Sequence, residues 1–126
     1  KEKKKSTGNA SRENYNTVPI VFISNLTVEP WKKKLNDIVS EVDKGIIVRR
    51  FSGNVRADSG EFSGIAKQAS YIEKGEVMYA LKETMISGNA FQALMNIVEI
   101  GSERRPTFEK VYAPPILVDK VNVVAK

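Results

Sequence analysis

Hydrophobic positions recur with two periods along this chain, and the longest stretch of strand-like pattern runs from Asp58 to Asn89. Ile65 to Ile72 carries few breakers, Lys74-Gly75 supplies a short turn, and Glu76 to Ile86 returns. A glycine in a short polar turn between two such runs predicts a long β-hairpin, because glycine accepts the positive φ that closes it. On the return strand Val77, Tyr79, Leu81 and Met85 share one face, while Met78, Ala80 and Ile86 place apolar atoms on the other. That pattern predicts cover on both faces over part of the hairpin. Ser87-Gly88-Asn89 ends the strand, and Asn89 followed by Gln92 has the spacing of a helix N-cap and its capping-box partner.

Helical periodicity occurs twice. After Pro30, the residues Trp31, Leu35, Ile38, Val39 and Val42 form one stripe, with Lys32, Lys33, Lys34, Asn36, Asp37 and Glu41 elsewhere and Gly45 as the stop. This predicts a helix whose lysines are a solvated face. Phe91, Leu94, Met95 and Val98 repeat the pattern as a core-facing stripe on a second helix, ended by Gly101. Val18 to Ile23 reads as a first strand, with Pro19 at a sheet edge. Ile46 to Phe51 is a second strand, and Gly53-Asn54 a turn before the hairpin. Thr107 to Tyr112 and Ile116 to Val124 are the last β segments, separated by Pro114-Pro115. Strand, helix, strand, hairpin, helix, strands is not the alternation of a doubly wound sheet. The fold class expected is α+β, a mostly antiparallel sheet with a long central hairpin and two amphipathic helices. Residues 1–17 form a polar approach segment and 18–126 a single domain.

Composition narrows the chemistry. The 126 residues suffice for one real core. No window nears the roughly 18 apolar residues of a membrane span, and neither His nor Cys occurs. The absence of cysteine fits a reducing compartment and a cytoplasmic location. Lacking both residues, the chain cannot by itself hold a Ser-His-Asp triad, a thiol nucleophile or an H-E-x-x-H zinc site. Three residues separate Ser63 from Lys67 and Ser70 from Lys74, one too many for an S-x-x-K dyad. Asp58 and Glu61 offer too few oxygens for calcium. A net charge of +5, with runs at Lys1 to Lys5 and Lys32 to Lys34, raises nucleic acid as a partner. Arg49, Arg50, Arg56 and Lys67 interleave with Phe51, Phe62 and Tyr71, as in a sheet that stacks bases and tracks phosphates; a core role for the aromatics is the simpler alternative.

Short motifs spread along the chain add a resemblance. Ser6-Thr7-Gly8-Asn9-Ala10 with Arg12, Ser24-Asn25-Leu26 with Glu29-Pro30, Ser59-Gly60-Glu61-Phe62-Ser63, Tyr71 to Glu76, Ile86-Ser87-Gly88-Asn89 and Asn96 to Gly101 together resemble the C-terminal half of the TldD/PmbA family. Its members are described as modulators of DNA gyrase and as zinc-dependent peptidases. The resemblance implies an upstream half carrying two zinc-binding histidines and a catalytic glutamate, with a β-rich module like this one walling the cleft. In TldD-type members a late cysteine adds a ligand. The matching region here, Thr107 to Pro115, has none, which points to a PmbA-like member lacking a metal site. Zinc would then belong only to the upstream half, if to the protein at all, and no catalytic, cofactor or metal residue is expected in this chain. Gly60, Phe62, Ser63, Tyr71 and Tyr112 are the candidate cleft or interface residues. The expected partners are the upstream half, a second TldD/PmbA-type subunit in a homo- or heterodimer, and a peptide substrate. A basic nucleic-acid-associated module is the alternative, and no membrane role is expected.

Overall fold

The computed structural model describes residues 5, 7–108 and 110–124, so the Lys1 to Lys5 run lies, apart from Lys5, outside the described residues. The chain begins with a small hairpin: β1 (Ala10–Ser11) pairs antiparallel with β2 (Ile20–Val21). It then runs through β3 (Leu26–Thr27) into α1 (Leu35–Ser40). The central sheet follows: β4 (Lys44–Val55), β5 (Glu61–Glu73), β6 (Glu76–Leu81) and β7 (Thr84–Asn89). After α2 (Ala90–Met95) come β8 (Ile97–Ile100), β9 (Arg105–Phe108), β10 (Val111–Ala113), β11 (Ile116–Val118) and β12 (Asn122–Val124). The largest sheet has the order β12-β7-β5-β4, with β6 also on β5, and all of its pairings are antiparallel. Smaller sheets join β3-β10-β9 and β11-β8. This is the mostly antiparallel α+β fold expected.

The long hairpin is present, with its tip where the turn signal lies. Lys74 and Gly75 have φ of 49° and 80°, the pair of positive values that lets a two-residue turn match strand twist. Their N–H groups donate to Asp43 O and Val42 O, docking the tip beneath the end of α1. The return strand is divided at Lys82-Glu83, yet its register is continuous: Ala69 faces Leu81 and Ala66 faces Thr84. Both strands bend at this waist, since Gln68 and Glu83 each have φ of 51°. Regular strands place alternate residues on one face. Here the buried residues of β5 are Ala66, Ala69 and Ile72, three apart, because the waist and a bulge at Tyr71/Ile72 each shift the phase.

Several expectations are overturned. The predicted first helix loses its opening turn: Trp31 N–H donates to Gly101 O, Ser102 N–H donates to Lys33 O, and the helix starts only at Leu35. Nor is the lysine run simply a wet helix face. Lys33 Nζ lies 2.7 Å from Glu41 Oε2 and 3.0 Å from Glu99 Oε2, tying α1 to β8. Gly53-Asn54 is strand rather than turn; the chain reverses at Arg56 to Gly60. Thr107 to Tyr112 spans a reversal between β9 and β10. The second helix is six residues long, and Gly101 follows a strand instead of a helix.

The largest correction concerns the core. Phe91 is 57% exposed, Leu94 66%, Met95 87% and Val98 55%, so the second stripe faces outward. Val77, Met78 and Tyr79 of β6 are likewise exposed, which removes the predicted cover on both hairpin faces. Among the described residues the buried apolar side chains are Ile38, Ala66, Ala69, Ile72 and Pro114.

Candidate functional site at the base of the hairpin

The motifs Ser59 to Ser63 and Ile86 to Asn89 are far apart in sequence and adjacent in space. Glu61 pairs with Asn89, Phe62 with Gly88, and Ser63 with Ser87. Asn89 welds this corner together. Its Oδ1 accepts the N–H groups of Phe91 and Gln92 at 2.9 and 3.2 Å, capping α2, and its Nδ2 donates to Ser59 O at 2.7 Å. A neutral amide suits the position because it offers an acceptor toward the helix and, on a separate atom, a donor toward the loop, where an aspartate could only accept. Gly60 completes the corner: it accepts from Ala90 N–H at 2.7 Å and donates to Arg56 O at 2.8 Å. Its φ of +74° and the Phe91 ring, which a Cβ would meet at 2.5 Å, leave room only for glycine.

Register decides which side chains share a face. Phe62 sits between Val55 and Gly88, one row from Gly53-Gly64-Ile86, and two from Phe51-Ala66-Thr84. Phe51 and Phe62 meet edge to face at 6.1 Å, and the two ring edges occupy the space that Cβ atoms on Gly53, Gly64 and Gly88 would fill. The opposite face carries a polar row, Asn54-Ser63-Ser87-Asn122, across four strands. Arg50 and Lys67 also pair there. Arg50 and Lys67 therefore lie on the face opposite Phe51 and Phe62, contrary to the arrangement that stacks bases beside phosphates, and Arg56 is engaged with Asp58 and Glu61 at 3.7 Å.

Of the five candidate residues, Gly60, Phe62 and Ser63 are brought together, with Phe62 and Ser63 on opposite faces. Tyr71 lies nine residues further along β5, on the order of 30 Å of strand. It stacks on Tyr79 at 5.3 Å, and partial burial, helped by the Glu73 carboxylate, holds its phenol above the ordinary tyrosine range. Tyr112 belongs to the separate β3-β10-β9 sheet. Asn89, read from sequence only as a cap, is the residue that joins the motifs. Its sequence signal was the Ser-Gly-Asn motif opposite Ser-Gly-Glu-Phe-Ser.

The family model of the PmbA/TldA metallopeptidase C-terminal domain matches residues 1–125. The chain belongs to the PmbA/TldD family. A metalloprotease TldD homolog from Buchnera aphidicola (subspecies Schizaphis graminum) is 34% identical over 100 residues, covering 79% of this chain and 21% of the relative. A metalloprotease from Methanothermobacter thermautotrophicus is 29% identical over 79% of this chain and 22% of its own length. The solved structure of TldE from Thermococcus kodakarensis superposes with a TM-score of 0.81 at 27% identity, covering 95% of this chain and 28% of that one. A Thermotoga maritima protein named for modulation of a DNA gyrase gives 0.76 at 28% identity, over 82% of this chain and 24% of that one. The chain thus spans about a quarter of the length of these PmbA/TldD proteins.

The metal that the metallopeptidase name implies does not fit the residues present. The sequence has no His or Cys, and no three Asp or Glu side chains converge among the described residues. Borderline-soft zinc, which favours imidazole nitrogen and thiolate sulfur, finds neither here. No described helix is long and apolar enough to cross a membrane.

Proposed function

We propose that this chain is the C-terminal module of a TldD/PmbA-type metallopeptidase system, forming part of the wall of the peptide cleft and contacts to the rest of its parent and to a second subunit. Hydrolysis falls to residues outside it. The observation that carries this reading is the mismatch between apolar content and burial. The stripe that sequence periodicity marks as core-facing, Phe91, Leu94, Met95 and Val98, stands open, and so do the apolar run Val18 to Ile23 and Val77, Met78 and Tyr79 of β6. Open apolar surface of this extent belongs to an interface. The rigid corner at Gly60, Phe62 and Asn89 presents a fixed edge on which such a cleft can be built.

The test has two arms. In the intact parent protein, Phe62→Ala should raise KM for a peptide substrate with little change in kcat, because the residue shapes a wall and supplies no chemistry. The 126-residue chain, mixed with the separately produced remainder of its parent, should form a stoichiometric complex that Phe22→Asp and Leu94→Asp weaken. An unchanged KM together with no complex would overturn the proposal. So would one tightly held zinc, or peptide hydrolysis, in the 126-residue chain by itself. The nucleic-acid alternative is weakened because Arg50 and Lys67 face away from Phe51 and Phe62 and Arg56 is paired with Asp58 and Glu61.

A further inference from the structure

We propose that the cavity between α1, the first half of β4 and the Pro114-Pro115 segment binds an apolar carboxylate. The cavity measures about 510 Å³, within the range of small-molecule sites. Its walls are aliphatic, with Leu35 and Val39 of α1 on one side and Ile46 and Ile116 on others. Pro114 is buried and, with Pro115, fixes one wall.

The charged groups on this cavity are of one sign. Arg49 and Arg105 line it, and none of its described lining residues is acidic. Arg105 shares its guanidinium with exposed Glu103 at 3.1 Å, whereas no hydrogen bond or ion pair joins the Arg49 side chain to any of the described residues. A neighbouring cavity of about 580 Å³ makes the contrast, because Glu41, Lys44, Asp119 and Lys120 line it and its charges can balance within the protein. An apolar chamber with an exposed arginine in its lining, unpaired among the described residues, complements a ligand with a hydrocarbon body and one anionic end. The planar fork of arginine matches a carboxylate in two parallel hydrogen bonds. Either a free medium-chain acid or the apolar C-terminal residue of a peptide has this chemistry.

Titration calorimetry on the intact protein tests it with octanoate, octan-1-ol, and the tripeptide Ala-Ala-Leu as free acid and as amide. Octanoate should bind about tenfold or more tighter than octanol, the usual worth of one charge-assisted contact. Arg49→Gln should bring octanoate down to the alcohol's level and leave the alcohol unchanged. Arg56→Gln, outside the cavity, should alter neither. Preference for the tripeptide acid over its amide and over octanoate would identify a peptide end as the source; preference for octanoate would identify a free acid. Octanol binding as well as octanoate, equal effects of the two arginine substitutions, or no binding of any probe would each overturn the proposal.

Discussion

Replacing Gly60 by alanine separates backbone strain from steric collision at the corner that joins the family motifs. The residue has φ of +74°, and a left-handed conformation costs a non-glycine residue about 1–2 kcal/mol. The added Cβ would also fall 2.5 and 2.6 Å from Cδ2 and Cε2 of Phe91 and 3.3 Å from Asn89 Oδ1. Overpacking of this kind costs about 1–3 kcal/mol. The two together give about 2–5 kcal/mol. The ring is 57% exposed, so Phe91→Ala alone should cost only about 1 kcal/mol. In the double variant the ring is gone and the collision with it, leaving the strain. Urea titrations of the four proteins of this cycle should therefore show a favourable coupling of about 1–3 kcal/mol, the collision removed, with the m-value unchanged. Strict additivity would refute the reasoning, because it would mean that Phe91 does not constrain position 60. A Gly60→Ala cost below about 1 kcal/mol would refute the strain as well.

Three further outcomes follow from single features. Leu94→Ala, which a core-facing stripe would make costly by about 2–5 kcal/mol, should stay near 1 kcal/mol or below in the 126-residue chain and become larger in the intact parent, as read by urea titration of both. Thr84 is fully buried and its Oγ1 has no hydrogen-bond partner among the described residues, so Thr84→Val should be neutral or stabilising by about 1 kcal/mol in the same assay. Hydrogen bonds to Glu41 and then Glu99 raise the Lys33 ammonium above its ordinary value near 10.5. Its contribution is complete below that value and is lost as pH rises through the folded one, so melting temperature should fall more steeply above about pH 10.5 than in Lys33→Met.

What the sequence disclosed was local. The Lys74-Gly75 turn and the Asn89 cap are set by neighbours within a few residues, and both stand where the pattern puts them. Periodicity told which residues would be buried only on the assumption that the burying surface was in the same chain. For Phe91, Leu94 and Met95 no such surface is present among the described residues. Tertiary contacts account for other departures: the bond from Trp31 N–H to Gly101 O draws Trp31 out of helix, and the close approach of Gly53 to Gly64 uses for packing a glycine that reads as a turn. The five candidate cleft residues came from the resemblance alone, and register then separated them. No property of Phe62 or Ser63 taken singly says that they look out from opposite faces.

The waist at Gln68 and Glu83 bears on how the hairpin comes apart. Residues there are exposed, two on each strand contribute no pairing across the β5–β6 and β5–β7 ladders, and the buried phase changes on crossing it. Cooperative units end where buried contacts lapse. The hairpin thus consists of two segments in series: a tip held by α1 and by Ala69 and Ile72, and a base held by Ala66, Thr84 and the Asn89 corner. The tip can melt while the base stays folded, so amide protons of Glu76 to Leu81 would exchange through local opening, and those of Thr84 to Asn89 only when the whole sheet unfolds.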